Sequence, residues 1–123
     1  MSKSRTLTAA LILAAAVPIA PLHAAPPSPP VFWAGCAGAL AVKAERSGNN
    51  RAVNANLAPM IRRALAQANV AANPERLTPA QINGVAVSAS RSFRSQLARN
   101  PGQTAAFDRA VKLCMDSVAK LPK

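Results

Sequence analysis

Two cysteines are the residues of this chain best equipped for chemistry, and they stand far apart, at Cys36 and Cys114. Phe107, Val111, Cys114, Val118 and Leu121 recur at steps of four, three, four and three, which places Cys114 inside the apolar stripe of a helix. Cys36 falls four residues after Phe32 and four before Leu40, on the apolar side of another helix. An even number of cysteines on buried faces predicts one intramolecular disulfide, tying the first helix to the last as to a post. Trp33-Ala-Gly-Cys36 also has the look of a lipidation box, in which Cys36 would carry acyl chains. A proline-rich stretch separates it from the apolar run, however, and Trp33 stands where a Leu-like residue belongs.

Other reactive patterns are weak. The one histidine, His23, lies at the edge of an export signal, so the processed chain is expected to have no imidazole for base catalysis or metal binding. Ser117-Val-Ala-Lys120 matches a Ser-x-x-Lys pattern, but the companion motifs of enzymes using it are missing. Helical spacing gives Lys120 a simpler role four residues after Asp116, in a ladder with Asp108 and Lys112 on the solvent side. No enzyme activity, cofactor or metal is expected.

Charge is the stronger signal. The chain carries 15 Lys and Arg against four Asp and Glu, a formal charge of +11, which becomes +9 without Lys3 and Arg5. Arg51, Arg62, Arg63, Arg76, Arg91, Arg94 and Arg99 fall between Arg46 and Phe107, with Glu75 the one acid among them. Arg62 and Arg63 turn away from Leu57, Ile61 and Ala64; Arg91, Arg94 and Arg99 turn away from Ile82, Val85 and Phe93. Guanidinium groups grip phosphate or carboxylate through paired hydrogen bonds, so Arg62, Arg63, Arg91, Arg94 and Arg99 are the expected anion- or partner-binding residues. The absence of aromatics among them argues against base stacking.

The elements that must position these residues read as follows. Residues 1–24 have the form of a cleaved signal peptide: a basic head at Lys3 and Arg5, an apolar run from Leu7 to Ala20, and Leu22 and Ala24 before the cut. The run is too short and too broken by Pro18 and Pro21 to span a membrane. Residues 25–30, Ala-Pro-Pro-Ser-Pro-Pro, read as a stiff leader outside any helix interior. Residues 31–123 then form one helical domain.

Within it, the first helix is expected from Val31 to Arg46, with Gly35 and Gly38 marking close approach of a neighbouring backbone. Ser47-Gly-Asn-Asn50 is a turn. The second helix starts either at an Asn56 cap with Pro59 in its first turn, the preferred reading, or earlier, from Arg51, with a kink at Pro59; it ends at Ala72-Asn-Pro74. The third opens with the capping box Thr78-Pro79-Ala80-Gln81, buries Ile82, Val85, Ala86, Ala89, Phe93 and Leu97, and stops at Asn100-Pro-Gly102. The fourth holds the Cys114 stripe. No segment alternates as a strand, so the fold class is all-α: a small antiparallel four-helix bundle or an irregular helical domain, with a Cys36–Cys114 disulfide.

Signal, short helices and one long-range disulfide together resemble the plan of small helical periplasmic proteins, among them acid-stress chaperones and helical immunity proteins. No motif carries residues over from either group, and four acids leave little for an acid-sensing chaperone to titrate. The expectation is a non-enzymatic exported protein, periplasmic or secreted. Its arginine-rich side would meet an anionic envelope polymer, lipid head groups or an acidic protein, rather than cytoplasmic nucleic acid. The alternative is an inhibitor, immunity-type or chaperone-like factor that binds another protein.

Overall fold

The computed structural model describes residues 28–48, 50–74 and 76–122. The expected signal peptide, residues 1–24, and most of the expected leader lie outside these residues. Four α-helices follow in order: α1 (Pro29–Arg46), α2 (Arg51–Ala72), α3 (Pro79–Arg99) and α4 (Thr104–Ala119), with a short 3-10 turn at Pro101–Gln103 before the last. No strand occurs among the described residues.

The centre of this arrangement is α1, not α4. It packs against all three other helices, and it buries Ala34, Cys36, Ala37, Gly38, Ala39, Leu40 and Val42, residues spread nearly all round its circumference. A helix apolar on every side belongs in the interior. The spacing of bulky residues in α4 is cleaner, but α4 supplies one wall. Half of the buried residues of this central rod are Ala or Gly, whose small side chains let three helices approach it at once.

Directions follow from contacts. Gly38 faces Ala86 and Ser90 while Arg94 reaches Glu45, so α3 runs parallel to α1. Ala34 clusters with Ala68 and Ala72 near the far end of α2, which is antiparallel to α1. Cys36 meets Cys114 while Phe107 meets Phe93, next to the Arg94 that reaches Glu45, so α4 is antiparallel as well. The path is up, down, up, down.

Two helix starts differ from the sequence reading. The leader's last two prolines form the first turn of α1, and Pro30 is buried. A first turn has spare donors, so the missing N–H groups cost nothing there. Asn50 rather than Asn56 caps α2: the Val53 N–H donates to Asn50 Oδ1 at 3.1 Å. Pro59 therefore lies inside the helix, where it removes a ladder bond at a cost of about 3 kcal/mol. The turn before Pro59 returns that cost by bringing Leu57 into the core and Val53 against it.

The other boundaries match. Thr78 and Gln81 form the reciprocal capping box, with Gln81 N–H donating to Thr78 Oγ1 at 3.1 Å and Thr78 N–H donating to Gln81 Oε1 at 2.8 Å. At the end of α2, Leu77 N–H donates to Ala72 O and Arg76 N–H to Asn73 O, the two bonds of a Schellman closure. Arg76 occupies its left-handed position at φ 58°.

Candidate functional site: an arginine-edged groove

Cys36 and Cys114 are joined, with Cα atoms 5.4 Å apart, and both are buried. With its sulfur in that bond and its side chain in the core, Cys36 offers no thiol for acylation. Phe107, fully buried, sits two turns before Cys114 and meets Phe93 edge-on at 5.4 Å between ring centres. The disulfide thus ties α4 to α1, and the Phe93–Phe107 pair beside it packs α4 against α3.

On its other flank, α1 meets α3 through Gly38. A Cβ at Gly38 would stand 2.7 Å from Ala86 O and 2.9 Å from both Ala89 Cβ and Ser90 N, so only glycine permits this approach. Gly35 does not share the role, since a Cβ there would meet open space. Beside Gly38 the small side chains leave a groove of about 360 Å³ between α2 and α3. Ala37, Gly38 and Ala41 form its floor, and Ile61, Leu65 and Val87 stand on its walls. Ile61, on the apolar face read from the sequence, and Leu65 one turn on are only half-buried here, and Val87 is 52% exposed.

The five arginines singled out from the sequence divide in two. Arg62 is exposed, one turn after Ala58 and one turn before Leu65, on the flank of α2 that faces α3. Arg91 is exposed one turn beyond Val87, on the matching flank of α3. Arg94 lies beside Arg91 and is already engaged: its Nε donates to Glu45 Oε1 at 2.9 Å, and a terminal nitrogen donates to Ser90 Oγ at 3.2 Å. None of the three lines the groove; by helical position they fall on the flanks of α2 and α3 beside it.

Arg63 and Arg99 lie elsewhere. Arg63 turns to the α4 side, where it donates to Leu121 O at 2.9 Å and Pro122 O at 3.3 Å and fastens the end of the chain. Arg99 closes the last turn of α3, on the flank away from the groove, where a cation complements the helix dipole.

Ser90 is the residue that sequence periodicity missed. It is 6% exposed on the groove side of α3, with Oγ donating to Val87 O at 2.9 Å while accepting from Arg94. Its hydroxyl is satisfied within its own helix, which lets a polar residue occupy an inward position. The pattern Ser90-x-x-x-Arg94 is the only trace of this in the sequence.

In α4 the charge ladder is realised at Lys112–Asp116, 3.1 Å apart; Ser117 and Lys120 are joined through the backbone, Lys120 N–H donating to Ser117 O at 3.2 Å, with no side-chain hydrogen bond between them among the described residues. Among the described residues, no helix is long and apolar enough to cross a membrane. No protein-family model, curated protein or solved structure matches the chain.

Proposed function

We propose that this is an exported, non-enzymatic binding protein whose basic surface contacts an anionic component of the cell envelope. One observation carries the reading: Arg62 and Arg91 are exposed on facing flanks of α2 and α3 and make no ion pair among the described residues. With four acidic residues in the whole chain, little in the molecule neutralises them. Such a field draws in polyanions and raises their local concentration.

Export is supported by the signal-like first 24 residues and by the disulfide, a bond compatible with oxidising compartments. Phosphate or carboxylate groups in a repeating array, as on lipopolysaccharide, anionic lipid surfaces or wall polymers, match guanidinium donors held on two helices. The test is co-sedimentation with vesicles containing phosphatidylglycerol and, separately, with lipopolysaccharide. Binding at low ionic strength that collapses as salt rises from about 20 mM to 500 mM is the expected result, since screening shortens the reach of exposed charges to about 3–4 Å at the upper end. Absence of binding at low salt, or binding indifferent to salt, overturns the reading.

A further inference from the structure

The geometry points to a ligand for the groove itself: an anionic lysophospholipid, with its single acyl chain along the α1 floor and its phosphate held between Arg62 and Arg91. This rests on the basic-surface reading above and narrows it to one chemistry.

Three observations select that occupant. The groove is mainly apolar, floored by Ala37, Gly38 and Ala41 with Asn83 and Ser90 as its polar lining, and it keeps Val87 half in water although α1 and α2 stand beside it. Its volume of about 360 Å³ falls at the small end of the range for small-molecule pockets, about 300–1,000 Å³. A protein partner needs about 800 Å² of contact, far more than a recess of this volume supplies by itself. A narrow apolar chain needs only the recess, and each methylene buried there contributes about 0.8 kcal/mol.

Charge fixes the other end. By helical position Arg62 and Arg91 fall on the flanks of α2 and α3 beside the groove, both exposed, while Glu45 is already engaged by Arg94. A phosphate can accept paired hydrogen bonds from a guanidinium, whereas a choline head group brings a compensating cation. A second copy of the chain is a poor occupant, because it would bring the same excess of positive charge to a positive rim.

The experiment is calorimetric titration of the oxidised protein, from Ala25 onward and in full length, with lysophosphatidylglycerol below its micelle concentration. Lysophosphatidylcholine of the same chain length, glycerol phosphate without a chain, and an acidic amphipathic helical peptide serve as comparators. Lysophosphatidylglycerol is expected to bind at least about tenfold tighter than any of the three, about 1.4 kcal/mol. Ala41→Phe, which fills the floor, and the double variant Arg62→Gln/Arg91→Gln, which removes the charge without touching the core, should each weaken it about tenfold. Circular dichroism confirms that both variants keep their helicity, and the double variant decides the matter if Ala41→Phe does not fold. Equal binding by the double variant and the parent protein overturns the proposal, as does preference for the choline lipid or the peptide. Failure of lysophosphatidylglycerol alongside salt-sensitive binding to phosphatidylglycerol vesicles removes the groove ligand and leaves the basic-surface reading standing. Failure of both removes both.

Discussion

The two flanks of α1 are held by opposite means. Toward α4 the helix presents Cys36, and the contact is a covalent bond beside the Phe93–Phe107 pair. Toward α3 it presents Gly38, and the contact is backbone laid against backbone, with no bond except an exposed ion pair at the helix end. The first flank tolerates imprecise packing, because the sulfur bridge holds the partners near each other. The second depends on the absence of a single methyl group, and the same lack of bulk leaves the neighbouring groove unfilled. A chain with few aromatics can thus build one sealed wall and one wall that stays open to a ligand.

The largest effect should come from cutting the covalent flank. Replacing both cysteines, as Cys36→Ala/Cys114→Ala, removes a crosslink between residues 78 apart in sequence. In the chain-entropy account a loop of that size contributes about 4 kcal/mol. That is a large share of the roughly 5–15 kcal/mol available to a small domain. Urea denaturation of the oxidised, reduced and double-variant forms measures it. If all three unfold at the same concentration, the flank is held by packing alone and the contrast between the two sides disappears.

The glycine flank gives the next effect and its own internal control. Gly38→Ala forces a methyl into Ala86 O, Ala89 Cβ and Ser90 N, contacts made by backbone and short side chains that have no room to turn aside. Overpacking of this kind destabilises by about 1–3 kcal/mol. Gly35→Ala, one turn earlier on the same helix, meets open space and should stabilise by up to about 1 kcal/mol through helix propensity. Opposite signs from the same chemical change, read as shifts in urea midpoint, locate the close approach. Two changes of the same sign would mean that α1 and α3 do not touch at Gly38.

This pair also shows how far the sequence can be read. Large residues at helical spacing announced the α4 contact, since Phe107, Val111, Cys114 and Val118 are apolar whatever their neighbours. The capping box at Thr78–Gln81 announced the start of α3, because its chemistry is local. The central place of α1 was hidden, for Ala and Gly carry little hydrophobic signal and can line either an interior or a surface. Gly35 and Gly38 are alike in sequence, and only tertiary approach separates them. The early start of α2 was legible only as the second choice: Pro59 argues locally against a helix from Arg51, and burial of Leu57 overrides that argument. Among the arginines, helical spacing put Arg62 and Arg91 outside. It gave no hint that Arg63 would fasten Leu121 or that Arg94 would engage Glu45, because those partners lie 58 and 49 residues away.

A smaller effect tests the turn that brings α3 back beside α1. Arg76 holds a left-handed conformation at φ 58°, a position in the Schellman closure that glycine fills at no steric cost. Arg76→Gly should stabilise by about 1 kcal/mol, whereas Arg76→Ala, which keeps the Cβ, should change stability little. Because both variants remove the same charge, the difference in their thermal midpoints isolates the backbone.

The ion pair at the end of the α3 flank should contribute least. Arg94 and Glu45 lie 2.9 Å apart, yet their side chains remain 49% and 51% exposed, so water screens most of their attraction. Pairs of this kind contribute about 0–1 kcal/mol. A double-mutant cycle with Glu45→Gln and Arg94→Gln should give a coupling in that range, shrinking further in about 0.5 M salt as the screening length shortens. Arg94 also donates to Ser90, so its own replacement should cost more than that of Glu45. The Glu45→Gln change has a second consequence at the groove, because it releases a guanidinium beside Arg91. It should therefore strengthen lysophosphatidylglycerol binding while leaving stability nearly unchanged. Weaker lipid binding in Glu45→Gln would mean that the ion pair shapes the groove mouth, and that the α3 flank is held by its charges as well as by its glycine.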